Sequence, residues 1–278
     1  MSSTVRNPYA DNRNPVVVVS GYVPYTLIKQ LAGDSVNLSM LLPPGTEPHS
    51  FEPTPGVLVS LKHANAFVYT SAELEPWVKD LLQVATKQTH IIELSALLPP
   101  AQDPHIWMQI TNVKTLARAL EELLEQLNPG QQLFYRENLK QLEEELDALD
   151  QDFKTKLAQC KSREVVHVGH LAFKNLTDAY GLTLTALSGT THEGEQSAKK
   201  LTQLARQIKE QHVPAIFTEE ALSSRLASTL AQETGTPIWT LYPVEHISKK
   251  DFNANVTYAE LMRRNLENLA RGLVCQVS

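Results

Sequence analysis

A stretch of about thirty residues, 131–160, contains nothing that would break a helix, and it constrains the fold more than any other part of the sequence. Its large apolar side chains recur at spacings of three, four and seven residues, which is the helical period. They are Leu133, Leu139, Leu142, Leu146, Leu149, Phe153 and Leu157. At 1.5 Å per residue, such a helix is a rod roughly 45 Å long. It is either a coiled-coil arm or a rigid strut that joins two other parts of the chain.

Short β-branched runs alternate with amphipathic helical patterns on both sides of this stretch. The predicted strands are 16–21, 36–42, 66–70 and 90–94 before it, and 164–170, 182–189, 215–219 and 238–243 after it. Alternation of this kind predicts parallel sheets with helices on both faces. We therefore expect an α/β protein of two lobes, each with a mostly parallel sheet flanked by helices, joined by one long rigid helix. The alternation favours the strut over the coiled-coil arm.

The expected divisions of the chain follow from this pattern. Residues 15–128 form the N-terminal α/β lobe, 129–160 the long connecting helix and 161–278 the C-terminal α/β lobe. Residues 1–14 are polar, and we expect a leader or disordered segment there. They contain no apolar signal-peptide core, so the protein is either cytosolic or has had a targeting segment replaced by a short leader.

Composition narrows the classes of function. A net charge of −6 and a pI near 5.9 argue against nucleic acid as a partner, because phosphate-binding surfaces usually carry a basic excess. No apolar run approaches the roughly 18 to 20 residues that span a bilayer. The two cysteines, Cys160 and Cys275, are too few for a disulfide scaffold and are compatible with one bridge or with none.

Three of the nine histidines lie in loops just past predicted strands. His49 lies in "LPPGTEPHSFEPTP", a loop that its prolines hold stiff and extended. His105 lies in "DPHIWM", and His170 ends the strand of "VVHVGH". Ligands of open α/β sheets bind at the carboxyl ends of strands, so these imidazoles can converge between the lobes. Their wide separation is unlike the local spacing of a zinc finger, and the fold would have to assemble any metal site.

Several other acidic and histidine side chains are further candidates for a functional role. Glu245 follows the last predicted strand and is the acidic candidate, with His246 beside it as a further one. "THEGE" (191–195) is interpreted as an exposed loop or a weak metal collector, and His167 as a packed or supporting histidine. The remaining assignments are to the surface for His63 and His212, and to a helix N-terminus for Glu219 and Glu220. No glycine-rich phosphate loop and no G-x-S-x-G nucleophile elbow is present.

Five motifs occur in an order that resembles a known family. They are "LLPPGTEPHSFEPTP", "DPHIWM", "GHLAFKNLTDAYGL", "IFTEEALSSRLASTLAQETG" and "LYPVEHI". Together they resemble the metal-binding solute-binding proteins of bacterial ABC transporters, in the zinc/manganese family, from about residue 15 to the end. The resemblance implies two α/β lobes joined by a single long helix, with metal bound between the lobes.

Carried over residue by residue, the resemblance implies that His49, His105, His170 and Glu245 are the metal ligands. Manganese-type members carry Glu where this chain has His170. The chain departs from the family pattern in Tyr242, in the extra candidate His246 and in its lack of a long His-rich loop. Because of these departures, the sequence leaves Glu245, His246 and water as alternatives for the fourth ligand.

The expected function is extracytoplasmic zinc binding for metal uptake, without catalysis. Three imidazoles and one carboxylate suit Zn²⁺ in tetrahedral geometry, and Mn²⁺ is the alternative. The expected partners are the ion and an ABC transporter membrane permease. We expect a monomer that binds no nucleic acid and is periplasmic or extracellular and membrane-anchored. The first alternative is a manganese- or iron-binding member of the same family. The weaker alternatives are a zinc hydrolase, with water as fourth ligand and Glu245 as general base, and a surface adhesin.

Overall fold

The computed structural model describes residues 14–100, 103–189, 198–219 and 225–276. Within these residues the chain forms eight β-strands and ten α-helices. The first half contains β1 (Val16–Val19), α1 (Tyr22–Ala32), β2 (Asn37–Met40), α2 (Pro55–Lys62), β3 (Ala66–Tyr69), α3 (Val78–Leu82), β4 (His90–Glu93) and α4 (Ile110–Leu127). It is followed by α5 (Gln132–Ala158), β5 (Glu164–His167), α6 (Lys174–Ala179), β6 (Thr183–Ala186), α7 (Ala198–Glu210), β7 (Ile216–Glu219), α8 (Arg225–Thr234), β8 (Ile238–Leu241), α9 (Lys249–Asn253) and α10 (Tyr258–Gly272).

The strands form two parallel sheets of four with the same internal order. The first is β2-β1-β3-β4 and the second is β6-β5-β7-β8. The central strands β1, β3 and β5 are rich in buried β-branched or aromatic residues, as parallel strands covered on both faces require. In each sheet the strand order reverses between two central strands, and ligands of open α/β sheets bind in the crevice beyond that point. The expected α/β fold of two lobes is confirmed.

The long helix α5 has 27 residues, about 40 Å at 1.5 Å per residue. Its predicted apolar stripe is buried from Leu142 to Leu157, whereas Leu133, at the start of the helix, is 83% exposed. The stripe packs against α1, α4 and α10. Ion pairs of α5 with α4, among them Arg118–Glu143 and Arg136–Glu125, show that the two helices run antiparallel.

One continuous apolar core joins the two sheets through α5. It includes Val17 and Val19 of β1, Leu146 of α5, Val165 of β5 and Leu269 of α10. Smaller clusters lie on the outer face of each sheet, one beneath α2 and α3 and one beneath α7 and α8. Because close-packed side chains deform little, the shared core gives the loops at the edges of both sheets a common rigid support.

Cys160 and Cys275 form a disulfide, which resolves the two possibilities that the sequence left open. It connects the segment that follows α5 to the segment that follows α10. The closed loop therefore contains most of the second lobe.

Two helices differ from the sequence-based expectation. The pattern "EPWVKDLLQVA" predicts a helix of about three turns, whereas α3 spans only Val78–Leu82. Helix α9 was not expected. Its Ser248 side chain accepts a hydrogen bond from the Asp251 backbone N–H, which caps the helix start. Among the described residues, no helix has the length and apolar character needed to cross a bilayer.

Candidate metal centre

His49 is held by the proline-rich loop that follows β2. The indole of Trp77 donates a hydrogen bond to the Pro48 carbonyl (2.9 Å), and its ring meets Phe51 edge-on at a centroid distance of 5.0 Å. Nδ1 of His49 lies 3.1 Å from the Leu74 carbonyl oxygen. Because that oxygen can only accept, Nδ1 carries the proton, and Nε2 is left as the nitrogen that can bind a metal.

His105 is oriented by a carboxylate two residues before it. Oδ1 of Asp103 accepts from both the His105 backbone N–H (2.9 Å) and Nδ1 (2.7 Å). Asn175, from the second lobe, donates to the carbonyls of His105 (2.9 Å) and Asp103 (3.2 Å). The loop of the first lobe that carries His105 is thus hydrogen-bonded to the second lobe. The Asp103 contact again leaves Nε2 facing inwards.

His170 follows β5 and is oriented by Glu219, the last residue of β7. Oε1 of Glu219 accepts from the His170 backbone N–H (3.1 Å) and from Nδ1 (2.9 Å). Gly169 directly precedes His170. A Cβ on Gly169 would lie only 2.2 Å from Oε1 of Glu219, so the close approach of Glu219 requires glycine at this position. The neighbouring His167 is also buried, and its Nδ1 lies 3.0 Å from the His170 carbonyl oxygen.

Glu245 lies in the loop after β8, and side chains from two helical segments hold the residues just before it. Asn265 exchanges two hydrogen bonds with the Tyr242 backbone (2.7 and 2.8 Å), and Trp107 donates to the Pro243 carbonyl (2.7 Å). Val244, directly before Glu245, has φ of 63°. A β-branched residue with positive φ is strained, so packing and these bonds hold the loop in a conformation it would not adopt alone.

The four side chains converge on one point. His105 and His170 bring their Nε2 atoms to 3.3 Å of each other, and the Nε2 atoms of all three histidines lie 3.5 Å from a Glu245 oxygen. One ligand atom from each of the four residues lies within 4.8 Å of all the others. A tetrahedral zinc site with bonds of about 2.0–2.1 Å has ligand–ligand edges of about 3.3–3.4 Å. The separation of 3.3 Å between His105 and His170 and the three imidazole–carboxylate separations of 3.5 Å therefore fit one ion of this size with little movement.

Three of the atoms that face this point have no hydrogen-bond partner among the described residues. Within the described part of the chain, Nε2 of His49 and both oxygens of Glu245 are buried and make no hydrogen bond. Leaving three such atoms unbonded is costly, because burial removes the water that would otherwise satisfy them. A divalent cation is the partner that suits a carboxylate and imidazole lone pairs together.

Electrostatic interactions shift the pKa values of three of these groups, His105, His170 and Glu245. Burial by itself lowers the pKa of His170, but Glu219 and Glu245 outweigh it and raise that pKa to about 10. The pKa of His105 is also raised, because Asp103 and Glu245 outweigh burial. Burial by itself raises the pKa of Glu245, yet the surrounding imidazoles hold it well below its usual range. Without metal, protons on His105 and His170 balance the negative charge of Glu245, so a cation that binds here displaces protons.

The other candidates fall in different places. His246 has its Nδ1 3.6 Å from a Glu245 oxygen, at the margin of the site. His63 and His212 are exposed, as expected, and His167 is the buried supporting histidine that was predicted. "THEGE" and Glu220 lie outside the described residues.

The supporting carboxylates were missed or misplaced by sequence reasoning. Glu219 is not at a helix N-terminus as predicted: it belongs to β7, and its side chain bonds His170. Asp103 was not recognised, although an acid two residues before a candidate ligand histidine was a usable signal.

Comparison with known proteins identifies the family. The sequence model of the zinc-uptake complex component A, periplasmic, family (ZnuA) matches residues 17–272. The chain belongs to this family. The match includes both lobes and all four residues of the candidate centre.

Named relatives agree with this assignment. The zinc-binding lipoprotein AdcA of Streptococcus pneumoniae is 31% identical over 274 residues, which cover 91% of this chain and 54% of AdcA. The chain thus spans about half the length of AdcA. The crystal structure of the Zn(II)-bound ZnuA-like domain of AdcA superimposes with a TM-score of 0.82 at 31% identity, covering 94% of this chain and 99% of that domain.

A second solved structure adds another description. The laminin-binding protein Lmb of Streptococcus agalactiae superimposes with a TM-score of 0.84 at 30% identity, covering 93% of this chain and 99% of Lmb. Lmb is described as a bifunctional protein with adhesin and metal-transporting activity.

Proposed function

We propose that this protein is the extracytoplasmic zinc-binding component of an ABC transporter for metal uptake, which delivers Zn²⁺ to a membrane permease. One observation carries the proposal: four ligand atoms from His49, His105, His170 and Glu245 lie within 4.8 Å of one another, and the 3.3 Å between Nε2 of His105 and Nε2 of His170 matches the edge of a zinc tetrahedron. Membership of the ZnuA family and likeness to a Zn(II)-bound domain support the same ion.

The donor set favours zinc over manganese. Three imidazole nitrogens and one carboxylate suit a borderline ion that accepts four ligands, whereas manganese prefers more oxygen donors. The hydrogen bonds of Asp103 and Glu219 to ligand imidazoles raise their basicity and fix their tautomer. Zinc would bind the neutral imidazoles, so capture releases protons and becomes weaker as the pH falls.

A closed ligand shell suits carriage and not catalysis. Catalytic zinc sites keep a position for water, while four protein ligands fill the tetrahedron. Glu245 faces three histidines at 3.5 Å, which supports direct ligation over a role as general base. We therefore propose that the chain is not an enzyme, and that a zinc hydrolase is the weaker interpretation.

The remaining assignments belong to the same proposal. The lobes would comprise 15–128 and 161–278, with 129–160 as the connecting helix. The chain would act as a monomer outside the cytoplasm, anchored or periplasmic, with a permease as its protein partner and no nucleic acid. The lipoprotein description of AdcA and the periplasmic description of the family support this location.

Adhesion is a second candidate function, favoured by the likeness to Lmb. It is compatible with metal transport, because both activities are described for that protein. Binding of the zinc-loaded protein to immobilised laminin, absent with an unrelated protein of equal charge, would support it. Lack of binding would leave transport as the sole proposed function.

The direct test is metal analysis of tag-free protein, followed by zinc and manganese titrations. We expect one zinc per chain, and loss of tight binding in His105→Ala. His63→Ala is the matched control, since it removes an exposed histidine outside the centre. Tighter binding of manganese than zinc, or equal binding by the two variants, would refute the proposal. A reconstituted permease whose ATP hydrolysis is stimulated by the zinc-loaded protein tests delivery.

A further inference from the structure

A second group of ligand-type side chains adjoins the buried centre. Glu47, Glu245 and His246 each offer one ligand atom, and these three atoms lie within 4.8 Å of one another. The group shares Glu245 with the four-ligand centre but uses neither His105 nor His170. Two acidic oxygens and one imidazole form a donor set that divalent metals accept.

The two groups are in direct contact. Oε1 of Glu245 lies 3.6 Å from Nδ1 of His246 on one side and 3.5 Å from Nε2 of His170 on the other. Oε1 of Glu47 lies 3.7 Å from Nε2 of His49. An ion that moves from the second group to the first therefore keeps Glu245 as a ligand and shifts by only a few ångströms.

The exposed fraction of the side chains decreases from Glu47 to the buried histidines His105 and His170. The Glu47 side chain is 32% exposed, those of His49 and His246 are 8% and 7% exposed, and those of His105 and His170 are fully buried. Glu47 thus places one edge of the second group nearer to solvent than the buried His105 and His170.

The two buried members of the second group, Glu245 and His246, have ligand atoms that are available to bind a metal. Nδ1 of His246 and both Glu245 oxygens are buried and make no hydrogen bond among the described residues. A buried imidazole nitrogen in that condition indicates a ligand, because a purely structural histidine normally finds a hydrogen-bond partner. The sequence "VEHIS" places His246 next to the shared carboxylate.

We propose that Glu47, His246 and Glu245 form an outer transfer site, which takes up Zn²⁺ from solvent and passes it to the His49–His105–His170 centre through the shared carboxylate of Glu245. The inference rests on the proposed function, since it describes how zinc reaches that centre. Because Glu245 is needed by both groups, the two sites are used in sequence. A site that is empty in the final complex lowers the barrier in both directions and leaves the equilibrium affinity unchanged.

The test compares rates with affinities in three variants. Glu47→Gln removes the negative charge and leaves only a weakly coordinating amide oxygen, and His246→Phe removes both ring nitrogens, while each keeps a similar size. Glu52→Gln removes the same charge from an exposed position of the same loop. Zinc association is followed by stopped-flow tryptophan fluorescence, with the Trp107 ring 5.5 Å from that of His105 as the reporter. Dissociation is followed after mixing with excess chelator, and Kd comes from equilibrium competition.

We expect association and dissociation to slow together by about fivefold or more in E47Q and H246F, with Kd within about twofold of the wild type and E52Q unchanged. Association rates equal to those of E52Q would overturn the transfer site. So would a weaker Kd that arises only from faster dissociation, because the two residues would then support the final complex instead. If the wild type itself binds no zinc, the proposed function fails, which this set of measurements distinguishes from failure of the transfer site alone.

A second measurement is independent of rates and of any effect of these variants on folding. The double variant His105→Ala/His170→Ala removes two ligands of the buried centre and keeps the outer group. Crystals soaked in Zn²⁺ should show an anomalous peak bonded to Glu47, Glu245 and His246. Absence of that peak at millimolar zinc would overturn the proposal.

Discussion

Glu219→Gln tests the idea that a carboxylate hydrogen-bonded to the proposed ligand His170 sets the zinc affinity. Glu219 is 2% exposed, and its Oε1 accepts two hydrogen bonds from His170, at 3.1 and 2.9 Å. Glutamine keeps the shape and one acceptor oxygen but removes the charge. Hydrogen bonds to charged groups contribute roughly 1.5–3 kcal/mol, against roughly 0.5–1.5 kcal/mol for neutral ones. Two bonds thus set an upper bound of about 2–3 kcal/mol on the loss.

Part of that loss cancels, because the same bonds exist before zinc binds. In the metal-free protein Glu219 also stabilises the proton on His170, whose pKa is raised to about 10. Zinc has to displace that proton. At neutral pH the Glu219 carboxylate therefore stabilises both the bound proton and the bound zinc ion. The dication gains more from it than the proton does, and loss of a supporting partner typically lowers metal affinity about 10- to 100-fold. We expect a loss in this range at pH 8, becoming smaller towards pH 6.

The assay is competitive zinc titration by calorimetry at pH 6, 7 and 8, in buffers of different ionisation enthalpy. The buffers report how many protons zinc displaces, and E219Q should release fewer than the wild type at pH 7. Glu233→Gln, on the exposed surface of α8, is the control for loss of one negative charge. An affinity of E219Q within twofold of E233Q at pH 8 would show that the Glu219 carboxylate does not strengthen zinc binding, as would an unchanged number of released protons.

Zinc should bind about a hundredfold more tightly than manganese in competition titrations, because three imidazoles favour the later ion; equal affinities would show that the donor set is wrongly assigned. In the metal-free protein, the raised pKa of His170 stabilises the fold fully below pH 6.5, and this contribution is lost as the pH rises towards 10. The lowered pKa of Glu245 contributes stability above pH 4.5 that is lost at lower pH, so urea midpoints should be highest between pH 4.5 and 6.5, and a midpoint still rising at pH 8 would contradict this. Replacing Cys160 and Cys275 together by serine removes a crosslink between positions 115 residues apart and should cost about 3–5 kcal/mol of unfolding free energy with zinc affinity unchanged; a cost below 1 kcal/mol, measured by urea unfolding, would disprove it.

The sequence predicted the architecture well where a single periodicity decided it. The stripe from Leu142 to Leu157 predicted α5, and strand–helix alternation predicted two parallel sheets. It could not show that α5 is packed within a core shared by both lobes, since contacts with α1, α4 and α10 join residues far apart in the chain. The short α3 shows the opposite limit, because helical propensity alone does not set where a helix ends.

The candidate centre was predicted in a similar, partial way. Motif resemblance indicated His49, His105, His170 and Glu245, and the structure brings all four together. The role of Glu219 was missed because its partner lies 49 residues away, and only the pairing of β5 with β7 brings them into contact. A hydrogen bond between side chains so far apart in the chain depends on tertiary packing and leaves no local pattern in the sequence.

The most direct test of zinc binding at this centre is a crystal structure of the zinc-loaded protein with anomalous data collected at the zinc edge. We expect one ion bonded to Nε2 of His49, His105 and His170 and to a carboxylate oxygen of Glu245, with bonds of about 2.0–2.2 Å and no water in the coordination shell. A water molecule in place of Glu245, or an ion bound away from these three histidines, would contradict it.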